Sequence, residues 1–301
     1  MKIGMDLGGS HVGIGLVNGK EIIDIKEKIF TPEEKNDIKT YLFDIIDSLI
    51  QELLCCNNLK IEEIELIGMA SPGIISNGVI EKAGNLGIKN FDIKTKLQEM
   101  YQIPIQVRND GKCAALAEKV YGAMKDYDDC LFLNIGTGIG GAVFLGGKLL
   151  EPKKSSGFEL GHMVIEKDGI ECTCGKRGCF ERYGSIKALK MRITKTLGIE
   201  DSNISGKYLR EVILKNHPEE TKQDVEEYLE YLKIGICNFI DIFEPEVICF
   251  GGSFSYYEGY PLYEKLIEKI YMKDSTFNEK DKPKIVTAQL KNNAGILGAT
   301  I

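Results

Sequence analysis

The chain has 301 residues, 28% of them charged and 43% apolar, with a formal net charge of −7. This is the balance of an ordinary globular protein with length enough for two domains or lobes, and it excludes a broad basic face for nucleic acid or an anionic membrane. Nine cysteines, an odd number that includes the adjacent pair Cys55-Cys56, argue against a disulfide framework and for a reducing, cytoplasmic setting, and no apolar run is long enough to span a bilayer.

Residues 1–7 read as a strand with no leader before it, followed by the tight turn Gly8-Gly9-Ser10 and a second strand at 12–17. Asn18-Gly19 is a hairpin signal into a third strand at 21–30. Pro32 opens a helix to about Cys56, with Ile38, Leu42, Ile45, Ile46, Leu49 and Leu53 at helical spacing. A buried strand at 64–70 ends in Ser71-Pro72-Gly73. A helix at 91–101, a strand at 105–107 and a helix at 111–121 follow. The pattern then restarts. A strand at 130–135, a glycine-rich turn at 136–141 and a returning strand at 142–145 repeat the plan of residues 2–17. Helices are expected at 185–198, 206–215 and 221–243, and a strand at 246–250 runs into Gly251-Gly252-Ser253. A helix at 261–272, a polar surface loop at 274–284, a strand at 284–288 and a helix at 293–300 close the chain. The repetition predicts two lobes on one plan, each with a phosphate-sized turn facing a common cleft.

The densest chemistry is Glu159-Leu-Gly-His162, then Cys172-Thr-Cys174-Gly-Lys-Arg-Gly-Cys179-Phe-Glu181. Three thiolates and an imidazole are a usual tetrahedral set for Zn²⁺. Gly175 and Gly178 let a short knuckle turn back on one ion. Buried free cysteines beside a satisfied histidine are the bland alternative. The ligand count favours the metal, as does finding one of only three histidines beside the cysteines. Four protein ligands leave no open position, so a zinc here is expected to be structural.

Asp6-Leu-Gly-Gly-Ser10 and Gly136-Thr137-Gly138-Ile-Gly-Gly141 are turns whose bare N–H groups can approach an anion, and Thr137 adds a hydroxyl. Either one alone is more often only a turn; the two together suit a polyphosphate. Neither has the Gly-Lys-Ser/Thr of a P-loop, and neither opens a helix as a dinucleotide fingerprint does. Gly251 and Gly252 permit a flat ligand to pack on backbone, or are a plain strand-to-helix turn. Asp110, in Arg108-Asn109-Asp110, is either an N-cap or a general base at the carboxyl end of a strand. An aspartate suits a hydroxyl attacking a phosphoryl group, because the proton leaves late in a loose transition state. Glu159 and Glu181 are either solvated charges or, aimed by the knuckle, acceptors for sugar hydroxyls.

Together these motifs resemble the ROK family (repressors, open reading frames and kinases), within the sugar-kinase, actin and heat-shock ATPase superfamily. The resemblance covers essentially the whole chain. Its most specific part is Glu159-x-Gly-His162, nine residues, then Cys172-x-Cys174-Gly-x-x-Gly-Cys179-x-Glu181-x-x-x-Ser185. It implies an α/β, two-lobed actin-like ATPase fold (ribonuclease H-like) with an inserted Cys3His zinc knuckle at 162–181. It places an N-terminal lobe at 1–108, with the last helix of about 290–301 packing back on it, and a larger C-terminal lobe at 109–289. It also implies roles. Asp110 is the catalytic base. Gly73, Asn85, Asn109, Asp110, Glu159, His162 and Glu181 surround a sugar. Asp6, Gly8, Gly9, Ser10, His11, Gly136, Thr137 and Gly138 surround the phosphates and Mg²⁺, and Gly251 and Gly252 the adenosine. His162, Cys172, Cys174 and Cys179 hold zinc.

Some positions depart from the family pattern. His11 stands where relatives often carry lysine, which removes a fixed positive charge near the phosphates. Ser10 keeps the hydroxyl of the usual threonine, segment 74–90 is shorter and less aromatic, and Phe158 replaces a small residue. The expected function is ATP-dependent phosphorylation of a hexose at its 6-hydroxyl, glucose first, by a cytoplasmic homodimer with no nucleic-acid or membrane partner. Fructose, mannose, allose, an N-acetylhexosamine and a β-glucoside stay open as acceptors. Three rivals stand beside this. One is a sugar-responsive repressor, whose DNA-binding segment would precede the first strand. Another is a catalytically silent sugar sensor. The third, a zinc-stabilised binding module, leaves the glycine turns and Asp110 without a purpose.

Overall fold

The computed structural model describes residues 1–151, 158–200, 204–272 and 281–301. It divides into two compact units: Met1–Lys125 with Glu151 and Leu290–Ile301, and Asp126–Leu150 with Phe158–Gln289. The division falls after Lys125. The boundary expected after Arg108 would separate Asp110 and its helix from the closing helix, against which that helix makes one of its main contacts.

The first unit begins with the meander β1 (Lys2–Leu7), β2 (His11–Asn18) and β3 (Glu21–Ile29). Ile3, Met5 and Leu7 alternate into the core. The helix expected from Pro32 is two helices, α1 (Pro32–Asn36) and α2 (Ile38–Cys56). Thr31 and Glu34 close a capping box at the start of α1, and Asp37 breaks the run with non-helical backbone (φ −134°, ψ 54°). All six apolar positions singled out in α2 are buried. Next come β4 (Leu66–Ser71), β5 (Ile74–Ser76), β6 (Val79–Ala83) and β7 (Ile88–Asp92), then α3 (Ile93–Tyr101), β8 (Ile105–Asn109) and α4 (Asp110–Val120). The main sheet has the order β3-β2-β1-β4-β8, with β4 parallel to both β1 and β8. Strands β5, β6 and β7 form a separate antiparallel sheet. The helix expected at 91–101 starts two residues late. Phe91 and Asp92 are still paired with Ile80 and Val79, and Asp92 Oδ1 then caps the helix by accepting the Thr95 N–H at 3.0 Å.

In the second unit β9 (Cys130–Ile135), β10 (Ile139–Leu145) and β11 (Lys148–Leu149) form the meander. Helices α5 (Glu181–Gly184), α6 (Ile186–Thr196), α7 (Gly206–Tyr208), α8 (Leu214–Asn216) and α9 (Lys222–Phe243) follow, with a π-helical turn at Leu209–Ile213 joining α7 to α8. Then come β12 (Val247–Gly251), α10 (Pro261–Ile270) and β13 (Lys284–Thr287). The order is β11-β10-β9-β12-β13, with β12 parallel to β9 and β13. Each unit thus carries a three-stranded antiparallel meander flanked by two parallel strands. Most of the surface loop expected at 274–284 lies outside the described residues.

The closing helix α11 (Ala294–Ala299) belongs to the first unit, where Ile296 and Leu297 are buried beside Val17 and Ala117. Its seat depends on glycine. A methyl group on Gly68 would lie 1.7 Å from the Ala299 carbonyl oxygen, and one on Gly298 would lie 1.8 Å from that of Cys113 in α4.

Candidate active site

In the first unit the expected residues gather at the carboxyl ends of three neighbouring strands. β1 delivers Asp6, β4 ends at Ser71 just before Gly73, and β8 ends at Asn109. The register pairs Asp6 with Ala70 and Ser71 with Asn109, so the three ends are level. Asn109 caps α4: its Oδ1 accepts the Lys112 N–H at 3.2 Å, while its Nδ2 donates to the Gly73 carbonyl at 3.0 Å. The N-cap alternative for Asp110 therefore fails. Asn109 takes that task, and Asp110 is the first helical residue, its Oδ1 accepting the Gly111 N–H at 2.8 Å.

Asp110 is reached by solvent, yet the protein crowded around it excludes enough water to raise its pKa above the ordinary aspartate value. Asp6 is part-buried. Lost hydration and then the neighbouring Asp110 carboxylate raise its pKa to about 6, with His11 pulling the other way and Glu27 adding to the rise. The Gly8–His11 turn is closed by the Gly8 N–H donating to the His11 carbonyl at 2.8 Å. The imidazole lies over Gly8, and the Asn85 amide faces Gly9, its Nδ2 3.2 Å from where a methyl on that glycine would be. Two neighbours of Asp6 escaped the sequence reading. Glu27 comes in from β3 across the sheet, and a methyl on Gly295 of α11 would lie 2.4 Å from Asp6 Oδ2. Only the small-residue run of the last helix hinted at such a close approach.

The second unit gathers the remaining candidates. Gly136, Thr137 and Gly138 form the β9–β10 turn, closed by the Gly136 N–H donating to the Gly138 carbonyl at 2.9 Å. Strands β9 and β12 are parallel neighbours, with Gly251 opposite Asn134. Gly251 and Gly252 therefore lie beside this turn, and a methyl on Gly252 would meet Asn134 Oδ1 at 2.5 Å. Glu159 is exposed and precedes a short 3-10 turn at Leu160–His162. Glu181 has a contact the sequence reading did not foresee: its Oε2 accepts the Ile139 N–H of the glycine turn at 3.0 Å.

The knuckle brings His162, Cys172, Cys174 and Cys179 together, their ligand atoms all within 4.8 Å of one another. His162 Nδ1 is 3.6 Å from Cys172 Sγ, and Cys174 Sγ is 3.6 Å from Cys179 Sγ. A tetrahedron with metal–sulfur bonds of about 2.3 Å has edges of about 3.8 Å, so the four donors fit one ion with little rearrangement. Gly178 permits the fold-back: its φ is +77°, and a methyl there would strike the Glu166 carbonyl at 1.7 Å. The Lys176 N–H lowers the Cys174 thiol pKa, while burial pushes Cys179 up to about 12.

Two sheets of one order, each leading into a glycine turn with a carboxylate beside it, make this an α/β protein of the actin-like ATPase kind. The chain belongs to the ROK family, whose description it matches over residues 2–301. It is 29% identical to the xylose repressor of Caldicellulosiruptor bescii over 98% of this chain and 76% of that protein. It is also 29% identical to the glucokinase of Thermotoga maritima, over 99% of this chain and 95% of that one. Its structure matches that of a ROK hexokinase from Thermus thermophilus with a TM-score of 0.81 at 28% identity, covering 99% of this chain and 96% of the other. Among the described residues no helix is long and apolar enough to cross a membrane.

Proposed function

We propose that this protein is an ATP-dependent sugar kinase that phosphorylates the 6-hydroxyl of a hexose, with glucose the first acceptor to test. The observation that carries the reading is Asp110. It is freed from capping by Asn109, stands at the end of a parallel strand, and lies close enough to Asp6 to raise that group's pKa. Asp110 takes the proton of the attacking hydroxyl. Its elevated pKa suits a base, provided the pH keeps it ionised. Asn109, Glu159, His162 and Glu181 receive ring hydroxyls, and Gly73 and Asn85 lie along the acceptor. The backbone N–H groups of the two glycine turns, with Ser10 and Thr137, hold the phosphates, and Gly251 and Gly252 receive the adenosine. Mg²⁺, when bound, offsets charge on the β- and γ-phosphates, and the Asp6 carboxylate is the group here that would attract it.

The Cys3His cluster is proposed as a structural zinc site. His162, Cys172, Cys174 and Cys179 would hold the ion with four protein donors, so it would order the knuckle carrying His162 and Glu181 and would activate no water. The glucokinase relative supports the kinase reading along nearly the whole chain. The repressor relative supports a second reading, a sugar-binding regulator without turnover.

ADP release with Mg²⁺-ATP and a panel of hexoses, on wild type and Asp110→Asn, separates the two. The kinase reading expects turnover with one sugar, a fall of about 10²–10⁴-fold in the variant, and sugar affinity nearly unchanged. Full turnover in Asp110→Asn refutes the assigned base. Thermal stabilisation by a sugar without any turnover favours the regulator.

A further inference from the structure

We propose that Glu181 serves both substrates: one carboxylate oxygen braces the phosphate-binding glycine turn while the other receives the sugar. The proposal rests on the sugar-kinase reading and adds a link between its two subsites. Glu181 Oε2 accepts the Ile139 N–H at 3.0 Å, and a methyl on Gly138 would lie only 2.2 Å from that oxygen. The same turn is held at two further points. Gly161, between Glu159 and His162, packs so closely that a methyl there would lie 2.0 Å from the Ile139 carbonyl oxygen. The Ile186 N–H, at the start of α6, donates to the Gly136 carbonyl at 2.9 Å. The knuckle and the helix after it therefore form the seat of the turn. Glu181 holds the turn through its side chain, and that side chain also carries a charge suited to sugar hydroxyls. Among the described residues its Oε1 accepts no hydrogen bond, which leaves that atom for the ligand.

A sugar that fixes this carboxylate fixes the turn as well. Nucleotide and sugar should then tighten each other's binding by one common factor. Titration calorimetry with ADP and with the hexose, each alone and with the other ligand saturating, tests this on wild type, Glu181→Gln, Glu181→Ala and Gly138→Ala. Glutamine keeps an oxygen for the Ile139 N–H, so Glu181→Gln should bind ADP within about twofold of wild type while losing about tenfold in sugar affinity. Glu181→Ala should lose about tenfold for both ligands. Gly138→Ala, which drives the carboxylate out of the turn, should weaken the sugar about tenfold although the substitution is in the phosphate turn. Wild-type ADP affinity in Glu181→Ala, or wild-type sugar affinity in Gly138→Ala, overturns the shared role alone. A wild type that binds neither ADP nor any hexose overturns the kinase reading and the shared role with it.

Discussion

Asp6 sets function against stability in a way that can be measured. Its pKa in the fold is about 6, against 3.8 for an ordinary aspartate, chiefly through lost hydration and then through Asp110. Between pH ~4 and ~6 the folded chain therefore holds a proton at Asp6 that the unfolded chain has released. Stability falls as pH rises through that window, and the penalty is complete above about pH 6. A shift of about two units corresponds to ~3 kcal/mol, reduced to about 2 kcal/mol by the partial exposure of the carboxylate. Asp6→Asn keeps the shape and removes the charge. At pH 7.5 it should raise the melting temperature by roughly 3 °C, about 2 kcal/mol over the unfolding entropy of a 301-residue chain; at pH 4 it should change little. Melting curves by circular dichroism from pH 4 to 8 provide the measurement. Asp110→Asn removes one of the charges that raise Asp6, so in that background the gain should shrink. A gain of the same size at every pH, or none at pH 7.5, would refute the electrostatic reasoning. Turnover should be lost in Asp6→Asn even as the protein becomes more robust.

Protein purified without chelator should carry one zinc per chain by mass spectrometry, and Cys174→Ala should lose both the metal and several degrees of melting temperature; zinc-free wild type with an unchanged melting point would sink the structural-zinc assignment. Gly68→Ala should cost about 1–3 kcal/mol or more, because its methyl meets the Ala299 backbone oxygen at 1.7 Å, whereas Gly206→Ala, with nothing within 4 Å, should be neutral or slightly stabilising in the same denaturation assay. Asn109→Ala should cost about 1–2 kcal/mol through loss of the α4 cap. Asn109→Asp should recover part of this loss, because a carboxylate oxygen can still accept the Lys112 N–H although nothing replaces the donor to the Gly73 carbonyl; equal melting points for the two variants would discount the cap.

Long periodic segments and the glycine turns could be read from the chain because their signals are local. The six apolar residues singled out in α2 are one face of a helix, and the repeat of strand, glycine turn and strand reappears as two sheets with the same strand order. The small sheet of β5, β6 and β7 was not legible. Its strands have three to five residues, too few for alternation to stand out from the Asn77-Gly78 and Gly84–Gly87 turns between them. The unit boundary was missed for another reason. It is set by α4 packing on α11, a contact between residues almost two hundred positions apart that leaves only small side chains as its trace. In the site, residue types pointed to Asp110 and the Cys3His cluster. The second task of Glu181 depends on a hydrogen bond to a backbone N–H, and no side-chain pattern encodes that partner.

The glycine-seated closing helix also bears on how the molecule is made. The first unit takes its sheet from the start of the chain but its buried Ile296 and Leu297 from residues synthesised after the whole of the second unit. On the ribosome the later unit therefore has all its parts first. The earlier one waits with the grooves at Gly4, Gly68 and Cys113 unfilled, and Asp6 without the backbone of Gly295 beside it. A nascent chain stopped a dozen residues short would contain every residue assigned here to sugar, nucleotide or metal, and would still lack the piece that closes the core beneath Asp6 and Asp110.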